Sequence, residues 1–311
     1  MTVEIGQVKK PTKTSAAILS IISNGLLILL KVGAGLVTGS VSVLAEAIHS
    51  SLDLAAAVIA FFSVRMSDKP ADAGHPFGHG KIEGISGFVE ALLILVASGV
   101  IFYEAAMRIR TGTGIEFAEV GIGVMLVSIL VNILVSRRLY KVSHITDSLA
   151  LEADAGHLAA DVYSSLAVVV ALLIVRLTGL KILDPLVAIG VGIYILKIAY
   201  DLLHKSFGML IDESLPLSEQ AVIKACIMEH SRQLVSFHEL RTRKVGSQRH
   251  IDLHLVMAKD ASLAATHEMC DHIEADLKAR IEHAVVSIHA EPCQDECEQC
   301  SVPCPAKDRK R

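Results

Sequence analysis

EAIHSSLD, residues Glu46 to Asp53, sits inside the apolar run VSVLAEAIHSSLDLAAAVIAFFSV that extends from Val41 to Val64. A carboxylate facing lipid costs several kcal/mol, so Asp53 needs either a partner or a function. The same pattern returns as DAGHLAAD, residues Asp154 to Asp161. Both octets read acid-Ala-x-His-x-x-x-Asp. On a helix, residues four apart share one face about a turn from each other. His49 with Asp53, and His157 with Asp161, are therefore each expected to project together from a helix.

Working outward, the chain is hydrophobic beyond the range of ordinary soluble domains. Of its 311 residues, 52% are hydrophobic and 20% charged, with no Trp, and the mean hydropathy is +0.52. These values point to a membrane protein, for which a span needs about 20 apolar residues. Six such spans are expected, at roughly Ser15–Thr38, Val41–Arg65, Ile82–Ile109, Phe117–Arg138, Ser148–Leu177 and Asp184–His204. The net charge of −4 is too small to imply nucleic acid or anionic lipid as a partner. The leader MTVEIGQVKKPTKTS shows no cleavage site, so the first span is expected to stay in the membrane. Lys31, near the far end of that span, is expected to snorkel to the headgroups.

Basic residues set the orientation. One side gathers Lys9, Lys10, Lys13, Arg65, Lys69, Lys81, Arg137, Arg138, Lys141 and Lys205, against Arg108, Arg110, Arg176 and Lys181 on the other. The positive-inside rule then places both termini in the cytoplasm of a multi-pass protein of the cell (inner) membrane. Four segments follow: a leader (1–14), a six-helix transport domain (15–210), a cytoplasmic domain (211–292) and a Cys-rich basic tail (293–311). After residue 210 the apolar runs shorten. Helices are expected at Leu217–Ser231 and Ser262–Ile281, and strands at His238–Val245, His250–Met257 and Ala284–Ala290. The order αββαβ suits a small α+β domain.

Two imidazoles and two carboxylates from two helices make a four-coordinate set suited to Zn²⁺. Fe²⁺, Co²⁺ or Mn²⁺ are also admitted, and the set contains no softer sulfur ligand. Metal and protons compete for imidazole nitrogens, the physical basis of exchanging one for the other. Glu46 and Asp154, three residues before each His, are expected to line the access route or support the ligands. Glu90, Asn24 and Asn132 are expected as hydrogen-bond partners between helices. In the loop ADAGHPFGHGKIEG, Asp72, His75 and His79 are close enough to form a second metal site, with glycines that let the backbone fold around it. An intramembrane zinc hydrolase is a competing reading, but it needs an open coordination position and a base as in HExxH, which the sequence lacks. A metal sensor merely anchored by its spans is another.

The paired His-x-x-x-Asp octets, HPFGHGKIE and the αββαβ tail together resemble the cation diffusion facilitator family, in particular its bacterial zinc/proton antiporters. The resemblance covers about Ser15 to Pro292. It implies a homodimer of six-helix transmembrane protomers with ferredoxin-like cytoplasmic domains, exporting divalent metal by alternating access while protons enter. It assigns the transport site to His49, Asp53, His157 and Asp161. Relatives often carry Asp in place of His49, and the set found here resembles the more zinc-selective version, which disfavours Cd²⁺. It matches Asp72, His75 and His79 to a loop site. It also matches His238 in FHELRTR, His254 in IDLHLVM, His267 in ATHEMCD and His289 in SIHAEP to a binuclear site at the dimer interface, with Glu291 standing where relatives often have Asp. Lys81 and Asp212 match an intersubunit charge lock. Without the family, these four histidines read as scattered structural residues.

Of the six cysteines, Cys226 and Cys270 fall on apolar-patterned helices and are expected in a core. Cys293, Cys297, Cys300 and Cys304 form C-x₃-C-x₂-C-x₃-C, a possible tetrahedral thiolate centre outside the family pattern, or else a tail without a metal.

Overall fold

The computed structural model describes residues 12–39, 41–111, 119–180 and 182–294. Six long helices come first: α1 (Lys13–Thr38), α2 (Val41–Ser67), α3 (Ile82–Thr111), α4 (Glu119–Thr146), α5 (Leu149–Thr178) and α6 (Leu183–Leu210). All six are long and apolar enough to cross a membrane. Local signals set their ends. Thr12 caps α1 by accepting from Ser15 N, and Gly39 terminates it at φ 67°. Ser148 caps α5 through Leu151 N, and Gly179 closes that helix at φ 73°.

The sequence ended the fourth span at Arg138, where charge enters. The helix instead runs on to Thr146, because Leu139 and Val142 beyond that point are fully buried. They join Ala16 and Ala17 of α1, Val64 of α2, and Ala150, Leu151, Ala155 and Leu158 of α5 in one core. A second core joins α3, α5 and α6 through Ala91, Ile94, Ala153, Ala160, Ile195, Ala199 and Leu202. Alanines recur in both, as suits close helix packing in lipid. At Gly87 of α3, any Cβ would stand 2.6 Å from Ser206 Oγ of α6.

At the end where α1, α3 and α5 begin, one carboxylate ties four helices together. Glu83 of α3 is fully buried. Its Oε1 accepts from Lys13 Nζ of α1 at 2.9 Å and from Ser67 Oγ of α2 at 2.9 Å. Its Oε2 accepts from Ser148 Oγ, the α5 cap, at 2.8 Å. Lys13 also reaches Asp68 at 3.5 Å. Toward the opposite end, Arg108 of α3 pairs with Asp184 of α6 at 3.3 Å.

The chain divides into two compact units, residues 1–207 and 208–311. The second contains α7 (Leu217–Glu229), β1 (Ser236–Val245), β2 (Gln248–Met257), α8 (Leu263–Arg280) and β3 (Ala284–Pro292). β1 and β2 pair antiparallel, and β2 and β3 parallel, in the order β1-β2-β3. The parallel pair requires a crossover, which α8 supplies. On β2, Ile251, Leu253, Leu255 and Met257 face a core shared with Ile223, Cys226, Ile227, Met269, Ile273 and Leu277. Strand alternation therefore turns His254 to the other face. Leu253→Ala should destabilise this unit by about 2–5 kcal/mol, the range for a truncated core side chain, read as a lower thermal midpoint.

Candidate metal sites

Within the first unit, α2 and α5 bring their paired motifs together. His157 Nε2 lies 3.2 Å from Asp53 Oδ1. One ligand atom each from His49, Asp53 and Asp161 lies within 4.8 Å of the others. His157 joins this group through Asp53. Asp53 and His157 are buried, Asp161 is half-buried and His49 is exposed. Two further atoms, His157 Nδ1 and Asp161 Oδ2, are buried without a hydrogen-bond partner. Two ligands on a tetrahedral zinc, with bonds of about 2.0–2.2 Å, stand roughly 3.4 Å apart. The His157–Asp53 approach already matches that spacing.

The supporting residues behave unevenly. Asp154 accepts from Ser20 Oγ at 3.1 Å, a bond between α5 and α1. Asn24 Nδ2, Asn132 Oδ1 and both carboxylate oxygens of Glu90 are buried without a well-formed hydrogen bond, although Ser86 lies near Glu90. The Glu46 side chain lies outside the described set. Lys31 corrects another expectation. Its side chain is buried and points into the bundle, because Ser50 offers an acceptor at 2.7 Å.

The loop between α2 and α3 folds around Asp72. Its Oδ1 accepts the backbone N–H groups of His75 at 2.7 Å and Gly74 at 2.9 Å. Its carboxylate also faces His75 Nδ1 at 3.3 Å and His79 Nε2 at 3.4 Å. The backbone N–H of His75, chiefly, holds the Asp72 carboxyl below the usual carboxylate range, with the His75 ring, the Gly74 N–H and His79 adding to the effect. Gly78 turns the loop at φ 81°, a conformation that favours glycine. One ligand atom from each of Asp72, His75 and His79 lies within 4.8 Å of the others.

In the second unit, strand register makes a row. His238 of β1 is the cross-strand partner of His254 of β2, which in turn pairs with His289 of β3. Their ring centroids lie 5.2 and 4.8 Å apart. Glu291 lies two residues beyond His289 on the same face. Its Oε1 meets His254 Nδ1 at 2.9 Å and its Oε2 meets His238 Nε2 at 3.2 Å. The longer carboxylate therefore still spans two histidines. The hydrogen bond from His254 is the main cause holding the Glu291 carboxyl below its ordinary value, with His238 adding to it. Sequence reasoning missed Glu239, which occupies a register irregularity between His238 and Arg241 at φ 50°. Its Oε2 comes within 3.7 Å of His254 Nε2. A bulge leaves no trace in apolar alternation this short, so no sequence signal pointed to it.

Three assigned positions stand apart from this row. His267 on α8 is 76% exposed and faces Asp271 at 3.7 Å. Asp212 accepts from Arg243 at 3.3 Å within its own unit, and Lys81 belongs to the other unit. Cys226 is buried in the core and Cys270 packs against it. Cys293 is a free, half-buried thiol, while Cys297, Cys300 and Cys304 lie outside the described residues.

Six membrane-crossing helices, two of which carry paired His and Asp, together with an αββαβ unit bearing a His-rich face, define a membrane carrier for metal cations. The model of the cation efflux transmembrane domain matches residues 17–211, and that of the cation efflux protein cytoplasmic domain matches residues 215–293. The chain belongs to the cation diffusion facilitator family. It is a multi-pass cation efflux transporter, not an enzyme. It is 36% identical over 266 residues to the uncharacterized transporter sll1263 of Synechocystis sp., covering 86% of each chain. To the cation-efflux pump FieF of Yersinia pestis it is 33% identical over 268 residues, covering 86% of this chain and 89% of that one. A solved chain of the candidate zinc transporter CzrB shares 31% identity, covering 26% of this chain and 99% of that chain, with a TM-score of 0.25.

Proposed function

We propose that this transporter exports Zn²⁺ from the cytoplasm in exchange for protons by alternating access, with His49, Asp53, His157 and Asp161 binding the ion. The reading is carried by the 3.2 Å approach of His157 Nε2 to Asp53 Oδ1 across two helices. That gap holds a proton as a hydrogen bond, or a divalent ion at nearly the same spacing. Proton arrival and metal departure then become one exchange at one place. The N₂O₂ set favours zinc, with Fe²⁺ or Mn²⁺ as the competing cargo. Metal in the loop and on the histidine row regulates rather than crosses. His267, remote from the row in its own chain, supplies its ligand in a homodimer. Both termini are cytoplasmic, as the distribution of Lys and Arg requires.

Proteoliposomes with an imposed pH gradient test this. Zinc flux should depend on the gradient and fall at least about a hundredfold in Asp53→Ala and Asp161→Ala, since each removes a charged ligand. Unchanged flux in both variants sinks the site. Metal competition tests the cargo: His49→Asp should lose zinc preference over Fe²⁺ and Mn²⁺, and an unaltered preference leaves the choice of zinc unsupported.

A further inference from the structure

Lys31, in the second half of α1, is only 7% exposed. Its Nζ donates to Ser50 Oγ at 2.7 Å, and Ser50 is itself 4% exposed. Ser50 follows His49 directly and precedes Asp53 by three residues. On α2, positions three apart lie on one face about a turn from each other. The ammonium is therefore held about one helical turn from Asp53 along α2. It is also near enough to Asp161, on α5, for the two charges to interact. A buried ammonium needs opposite charge close by. The two aspartates can supply it when no metal is bound.

We propose that Lys31 is a fixed cation of the transport site, a positioning residue that sets how tightly the divalent ion is held. The inference rests on the transport site proposed above. Two carboxylates carry a formal charge of −2, which a divalent ion alone would neutralise. With Lys31 present, the occupied site carries +1. The excess charge repels the ion, weakens its binding and speeds its departure, as an exporter needs. Between turnovers the same ammonium offsets the repulsion between the two aspartates. At these depths a unit charge within a turn of the ion is worth at least about tenfold in affinity.

The experiment uses the full-length protein in a His79→Ala, His254→Ala background with Cys293, Cys297, Cys300 and Cys304 changed to Ser, so that binding reports the intramembrane site. Zinc Kd is measured by calorimetry, and KM and kcat by proteoliposome flux. Lys31→Met and Lys31→Gln should each lower Kd and KM about tenfold or more and slow kcat. Lys31→Arg should restore both parameters toward the parent. Ser50→Ala, which keeps the charge, should shift Kd less than about threefold. Weakened zinc binding in both neutral variants makes Lys31 scaffold only and overturns the proposal. So does an unchanged Kd while Asp53→Ala abolishes binding, an outcome that leaves the transport site standing. If Asp53→Ala still binds zinc normally, the site and this inference fall together.

Discussion

Glu83→Ala is expected to cost the transmembrane unit about 3–5 kcal/mol, the range for stranding one member of a buried ion pair. The Lys13 side chain is 11% exposed and takes its shorter contact from Glu83. Asp68, at 3.5 Å and half exposed, compensates only in part. Ser148 loses its acceptor as well, about 1 kcal/mol where it stays buried, while Ser67 keeps Val64 O. These contributions share one group and do not simply add. The check is the thermal midpoint in detergent, with Lys13→Met alone and combined with Glu83→Ala. The double variant should be more stable than Glu83→Ala, because no cation is then left without its partner. A midpoint unmoved by Glu83→Ala refutes the role assigned to this carboxylate.

His254→Ala should remove more metal from the second unit than any other single change there. His254 stands at the centre of the row, paired in register with a histidine on either side and bonded to Glu291. It also belongs to both groups of ligand atoms in this unit, one with His238 and Glu239 and one with His289 and Glu291. Its loss leaves each group with two ligands, too few to hold an ion tightly. Equilibrium dialysis of an Asp53→Ala, His79→Ala protein should show about two fewer zinc ions per chain on adding His254→Ala. The rise in thermal midpoint on adding zinc should vanish with them. His238→Ala should spare the group built on His289. Full zinc retention by His254→Ala removes the metal reading of the row.

The limits of what sequence conveys follow from the kind of signal each feature leaves. The six helices and the αββαβ order rest on long apolar runs and short alternating ones, and such periodicity survives without tertiary knowledge. The convergence of His49, Asp53, His157 and Asp161 was legible because four-residue spacing fixes a helix face and the two octets repeat. Register between strands has no comparable mark. The alignment of His238, His254 and His289 depends on pairing that only the folded sheet supplies, so those residues came from family resemblance alone. Lys31 was misread because snorkelling assumes the stem points to lipid, which depends on the face of α1 and on an acceptor 19 residues away. Glu83 drew no notice, since an acid after HGK looks like a solvated helix start. Four helices converge on it only in the assembled bundle. The fourth helix outran its expected end because the buried side chains after Arg138 face protein rather than lipid.

The parallel pairing of β2 with β3 has a consequence for biogenesis. His238 and His254 come together by a hairpin that can form as soon as residue 257 is made. His289 and Glu291 arrive only after α8 has crossed over and docked, a long-range step of the kind that forms slowly. A chain halted before its last strand would carry two of the three histidines and lack Glu291. The ligand group built on His289 and Glu291 is thus assembled later than the one carried by the hairpin, His238, Glu239 and His254.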